Sequence, residues 1–281
     1  MIDSHQHFWQ TSRNDCEWPT PDLKAIYQNF MPEDYLLWSE TLGISGSVLV
    51  QSQACDSDTD FIIDIARNNS FVRAVVGWVD LTSSTALERL DSLANETCFR
   101  GIRPMLQNIQ NTQWILKDDV AVALKKLELL GLSFDALVQP RHLPALCELA
   151  KKFPGLPIVI DHCAKPDIRK SSIHRWASHI EKLAECSNVY CKLSGLLTEA
   201  NPEQWNKPEF FAPYVQHLIN CFGVSRLMWG SDWPVVNLAV NAETWYKQAE
   251  GLVRKCCKPD EQSTAIKHIF SETAKHFYRI E

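Results

Sequence analysis

The run LPIVID, residues 156–161, is apolar over five positions and ends in a carboxylate, with a histidine next in line. Short continuous apolar runs of this kind read as strands buried on both faces, as in a parallel sheet. Seven similar runs lie on either side of it: Met1–His7, Gly46–Gln51 (GSVLVQ), Val72–Val79 (VRAVVGWV), Arg100–Met105 (RGIRPM), Ser133–Val138 (SFDALV), Asn188–Ser194 (NVYCKLS) and Arg226–Gly230 (RLMWG). Helical patterns separate them. In Asp118–Leu130, Val120, Leu124, Leu127 and Leu130 recur at helical spacing and Gly131 follows as a stop. Further windows cover Asp58–Arg67, Ser83–Leu93 and roughly 142–153, 171–186, 208–221, 241–256 and 260–278. Eight strands, each followed by a helix, predict an α/β fold: a single (β/α)8 TIM barrel spanning residues 1–281 as one domain. An open doubly wound sheet is the alternative, but no glycine-rich phosphate loop follows any strand. The long irregular stretch Trp9–Met31 after the first strand is expected to cover a site.

Composition narrows the partners. The formal net charge is −6, hydrophobic residues make up 45% and charged residues 22%. No basic cluster stands out, so neither nucleic acid nor an acidic membrane surface is expected as a partner. No 18-residue apolar run and no signal-peptide pattern appear, which predicts a cytoplasmic protein. The ten cysteines form no CxxC pair and are expected to be reduced and mostly buried. A homo-oligomer stays open.

The chemistry gathers at the predicted strand ends. His5 and His7 are two apart on the first strand, so both imidazoles project from one face and converge on one metal ion or one substrate oxygen. His162 directly follows LPIVID, and Asp232 directly follows RLMWGS. Barrel enzymes place their reacting groups where strands run out into loops. A lone histidine or aspartate there could simply cap a turn. Three imidazoles and a carboxylate at the ends of strands of one barrel are harder to explain that way.

The motifs DSHQHFW, GWVDL, GIRP, FDALVQPRHLP, VIDHCAKP, CKLSGL, GSDWPV and IFSETAKHFY, in that order from residue 2 to about 279, resemble the lactonase-type branch of the amidohydrolase superfamily. That branch includes L-fuconolactonase, L-rhamnonolactonase-like enzymes and, more distantly, 2-pyrone-4,6-dicarboxylate lactonase. The resemblance implies a metal-dependent-hydrolase-like barrel that opens a lactone by attack of water. Asp232 would be the general base. His5, His7 and His162 would polarise the carbonyl or, with Asp232, hold a metal. The fourth strand supplies no bridging lysine or carboxylate and the fifth no histidine, so a two-metal site is not expected. One divalent ion, preferably zinc, or none remains open.

Substrate-binding candidates are Arg103 of GIRP, Gln51 after the second strand, Trp18 and Tyr27 in the long first loop, Lys192 on the seventh strand and Trp233 beside Asp232. Arg103 could equally be a structural ion pair and Lys192 an internal salt-bridge partner, while Trp18 and Tyr27 could be apolar plugs. Gln53 and Ser194 are further site candidates. No arginine cluster accompanies Arg103, which favours a neutral sugar lactone, such as L-fuconolactone or L-rhamnonolactone, over a dianion. The rival readings are a decarboxylase of the aminocarboxymuconate semialdehyde type on the same barrel and a non-catalytic sugar-binding barrel.

Overall fold

In the computed structural model, which describes residues 1–281, the eight expected strands all form. They are β1 (Ile2–Gln6), β2 (Gly46–Val50), β3 (Val72–Gly77), β4 (Phe99–Ile102), β5 (Ser133–Ala136), β6 (Ile158–Ile160), β7 (Val189–Leu193) and β8 (Leu227–Trp229). All pair in parallel in sequence order. The last strand returns to the first through hydrogen bonds from Asp232 N to the His5 carbonyl and from His7 N to the Trp233 carbonyl, 2.8 Å each. The ring is therefore drawn shut by the residues singled out for chemistry.

Helices α1 (Pro32–Ser39), α2 (Asp56–Asn68), α3 (Ala86–Ala94), α4 (Asp118–Leu130), α5 (Leu143–Lys152), α6 (His174–Ala184), α7 (Ala212–Phe222) and α8 (Ala242–Cys256) surround it. The α4 boundaries are those the periodicity predicts, and Gly131 ends the helix at φ +65°. The last predicted helix is instead two short ones, α9 (Gln262–Lys267) and α10 (Thr273–Tyr278), joined by a π turn. Helix α1 has no counterpart in the sequence reading, because it is short and its buried face, Pro32, Tyr35 and Ser39, holds too few apolar residues to show a period, while Leu37 is 79% exposed.

Two apolar compartments result. The larger lies between strands and helices. The smaller fills the barrel, where Ile2, Val48, Val50, Ala74, Val76, Val159 and Met228 meet Phe277 and Tyr278 from α10. Leu49, between two inward valines, faces the outer compartment, as strand alternation requires. Helix α10 thus stops the end of the barrel opposite the cavity.

All ten cysteines are free thiols. Burial was over-read, since only Cys163 and Cys191 are fully buried. The other eight are partly exposed, and six of them, Cys98, Cys147, Cys186, Cys221, Cys256 and Cys257, pack against the edge of the core. No helix is long and apolar enough to cross a membrane.

Candidate active site

The four expected residues meet at the mouth of the barrel. His5 Nε2 and His7 Nε2 lie 3.1 Å apart. Asp232 Oδ1 is 3.5 Å from His7 Nε2 and 3.8 Å from His5 Nε2, and its Oδ2 is 3.8 Å from His162 Nδ1. His162 Nδ1 also pairs with Ser194 Oγ at 2.9 Å, and His7 Nδ1 with the Val50 carbonyl at 2.7 Å.

Local backbone makes this convergence possible. His162, Cys163, Ala164 and Lys165 all have φ between +50° and +60°, and Asp232 has φ +57°. Left-handed backbone costs a non-glycine residue about 1–2 kcal/mol, so five such residues at one site point to selection for position. Two glycines clear the space. A Cβ on Gly195 would lie 2.7 Å from His162 Cβ, and one on Gly230 would lie 2.7 Å from His5 Cβ.

Burial orders the charges. Burial and the nearby Lys192 charge hold the His5 imidazole well below its usual range. Burial also pushes His162 down to about 4, against the raising effect of Asp232 and Asp161. For Asp232, burial works to raise the carboxyl, but His162, a hydrogen bond from His7 and the charge of His5 outweigh it and hold it well below the ordinary range. Near neutrality the site therefore presents a carboxylate beside neutral His5 and His162.

The set also suits a divalent ion. Ligands about 2.0–2.1 Å from a tetrahedral zinc lie about 3.3–3.4 Å from one another. The 3.1, 3.5 and 3.8 Å separations among His5, His7 and Asp232 bracket that edge, and nitrogen with carboxylate oxygen is a donor set zinc accepts. His5, Asp161 and His162 form an overlapping group.

A cavity of about 250 Å³ opens above Asp232, His7 and His162. Arg103 and Trp18 line it, as expected. Arg103 is also the ion pair that the alternative reading foresaw, with Nη1 3.6 Å from Asp161 Oδ2. Of the six residues named for substrate binding, four are not on the cavity wall. Tyr27 sits on the outside, 43% exposed. The Gln51 amide is spent on the Arg103 carbonyl at 2.7 Å. Trp233 turns away from Asp232 into an aromatic cluster with Phe8, Phe30, Tyr35 and Trp38. Lys192 lies beneath the floor, between Asp135 and Asp161. Gln53 acts indirectly, clamping Trp18 by accepting from its N–H and donating to its carbonyl at 2.6 Å. Of the long first loop, Trp18 is the residue that reaches the cavity.

The sequence reading passed over Lys165, Gln107, Asn108, Thr198 and Ser52, which complete the polar wall. Lys165 follows His162 in VIDHCAKP, and Gln107–Asn108 follow GIRPM, so proximity to a strand end was the available signal. Asp161 was also missed. It ends an apolar run and looked like a strand residue, yet it is fully buried among Lys192, His5 and Arg103.

A family model described as Amidohydrolase matches residues 2–280. The chain belongs to the amidohydrolase family. An L-fucono-1,5-lactonase from Burkholderia ambifaria is 44% identical over 100% of this chain and 96% of its own length. A second L-fucono-1,5-lactonase, from Burkholderia multivorans, is 30% identical over 99% of this chain and 96% of its own. A crystal structure of an amidohydrolase from Burkholderia multivorans with bound zinc superposes with a TM-score of 0.92 at 28% identity, covering 100% of this chain and 99% of that one. This amidohydrolase has His5 on β1, His7 just beyond it, and His162 just after β6.

Proposed function

We propose that this chain hydrolyses a neutral sugar lactone of the L-fucono-1,5-lactone kind, with Asp232 as general base. The observation that carries the reading is a cavity whose floor is Asp232 set between His7 and His162. The 44% identity with an L-fucono-1,5-lactonase along the whole chain supports the substrate class.

The reaction follows from those groups. Water attacks the lactone carbonyl carbon while Asp232 takes its proton. The carbonyl oxygen becomes an oxyanion, held by donors on the cavity wall, of which the Arg103 guanidinium is the strongest. Collapse breaks the bond to the ring oxygen, which takes the proton back from Asp232. The product is an open hydroxy acid, and its ionisation releases one proton to solvent. A carboxylate with a depressed pKa is a weak base, but a lactone is an activated ester and asks less of it than an amide would. His5, His7 and Asp232 would hold a divalent ion, with His162 alongside. When bound, the ion would acidify the attacking water and polarise the carbonyl.

The wall favours a neutral, hydroxyl-rich ring. Its two cations are already countered, Arg103 by Asp161 and Lys165 by Glu199 at 4.0 Å. Gln107, Asn108, Thr198 and Ser52 offer hydrogen bonds to hydroxyls, and Trp18 offers a face for a sugar ring. At about 250 Å³ the cavity suits a single-ring molecule. A pH-indicator screen of aldonolactones, run with and without zinc, tests the reading. Turnover of six-carbon sugar lactones is expected. Hydrolysis of none of them, or release of carbon dioxide from an aromatic acid instead, would overturn it.

A further inference from the structure

Beneath the cavity floor the barrel holds a charged stack that the reaction does not touch. Lys192 is fully buried. Its Nζ donates to Asp135 Oδ2 at 2.7 Å and lies 3.1 Å from His5 Nδ1. Asp161 Oδ1 is 3.0 Å away, but neither Asp161 oxygen receives a well-directed hydrogen bond. Asp135 is further fixed by Ser133 Oγ at 2.9 Å and the Tyr278 hydroxyl at 2.6 Å.

These contacts determine where the ring protons sit. An ammonium has three N–H donors and no lone pair. His5 Nδ1, facing Lys192, is therefore an acceptor, and a neutral His5 carries its proton on Nε2. His7 is the reverse. Its Nδ1 faces the Val50 carbonyl, a pure acceptor, so the proton is on Nδ1 and the lone pair on Nε2. The His5 Nε2–H can then donate to His7 Nε2 across 3.1 Å. A continuous chain runs from Lys192 through His5 and His7 to the Val50 carbonyl, and each hydrogen bond in it has one donor and one acceptor.

We propose that Lys192 is a positioning residue that locks His5 as the Nε2–H tautomer, making it a hydrogen-bond donor in the metal-free site and weakening divalent-ion binding there. For His5 to ligate through Nε2, its proton must move to Nδ1, where it would face the ammonium. Asp161 Oδ1, 3.5 Å from Nδ1, would then have to take it. The inference takes from the proposed function that this cluster is the active site, but it makes no use of the substrate.

Two experiments test it, and neither uses lactone turnover, so they fail independently of the substrate assignment. The first is 15N NMR of the histidine rings in zinc-free wild-type protein, with His5 and His7 assigned by the signals lost in His5→Gln and His7→Gln. His5 should show a protonated Nε2 and a bare Nδ1, and His7 the opposite. A proton on His5 Nδ1 would overturn the proposal. The second is zinc affinity by equilibrium dialysis for Asp135→Asn and for Asp135→Asn with Lys192→Met. The paired change removes one charge of each sign, so the stack is not left unbalanced. Loss of Lys192 should tighten zinc binding by about tenfold or more, the scale on which a partner of a ligating histidine acts. Equal or weaker binding would overturn it. If the double variant fails to fold, the NMR result on the wild type still decides.

Discussion

Gly195 offers a way to move one imidazole-bearing residue, His162, without touching its chemistry. Its backbone has φ +65°, and an added Cβ would lie 2.7 Å from His162 Cβ and 2.8 Å from His162 Cγ and Nδ1. Those are not the loose ends of a flexible chain, because His162 is held by its own left-handed backbone and by Ser194. In Gly195→Ala the imidazole must shift, and a misplacement of about 1 Å costs on the order of 10²-fold in rate. That corresponds to about 2.7 kcal/mol of barrier. The backbone itself costs about 1–2 kcal/mol of stability. Gly43 separates the two effects: it has φ +70° and nothing within 4 Å of its would-be Cβ. Gly43→Ala should lose comparable stability and no activity. Steady-state kinetics and thermal melts of both variants are the assay. A Gly195→Ala enzyme with wild-type kcat/KM, or equal activity losses in the two variants, would refute the reasoning.

Asp232→Asn should keep the fold and lose about 10²–10⁴ in kcat, the usual worth of a general base; near-normal turnover of a sugar lactone would contradict the assignment. Gln53→Ala frees Trp18, so KM should rise severalfold with kcat little changed, whereas an unchanged KM would take Trp18 out of substrate binding. Burial holds His162 at about 4 in the folded metal-free protein, against 6.5 for the free side chain. Between those values the unfolded chain binds the extra proton, so stability is complete above about pH 6.5 and falls as the pH drops toward 4. The loss comes to about 3 kcal/mol, and equal denaturant midpoints at pH 7 and about pH 4.5 would count against it.

The strands were legible because a barrel strand is buried on both faces and shows as an unbroken apolar run. Their ends were less so. Val79, Met105 and Val138 continue the apolar pattern past the last paired residue, because the loops pack inward too. Helix α1 was silent because its inward residues, Pro32, Tyr35 and Ser39, make no apolar period and Leu37 points to solvent. At the site, strand-end logic located His5, His7, His162 and Asp232 but could not tell direction once regular geometry stopped. Asp232 and Trp233 are adjacent, yet the left-handed turn at Asp232 sends one side chain to the cavity and the other into the aromatic cluster. Lys192 is the internal salt-bridge partner of the alternative reading rather than a wall residue; alternation gives the side of a strand and not the height along the barrel, so it could not choose between the two.

The stopper formed by α10 has a consequence for biogenesis. The Tyr278 hydroxyl binds the carboxylate that holds Lys192. His5 and His7 leave the ribosome before Asp232, which follows His7 in the chain by 225 residues. The nascent chain therefore makes these two histidines well before it can offer them either the carboxylate beside them or the plug beneath them.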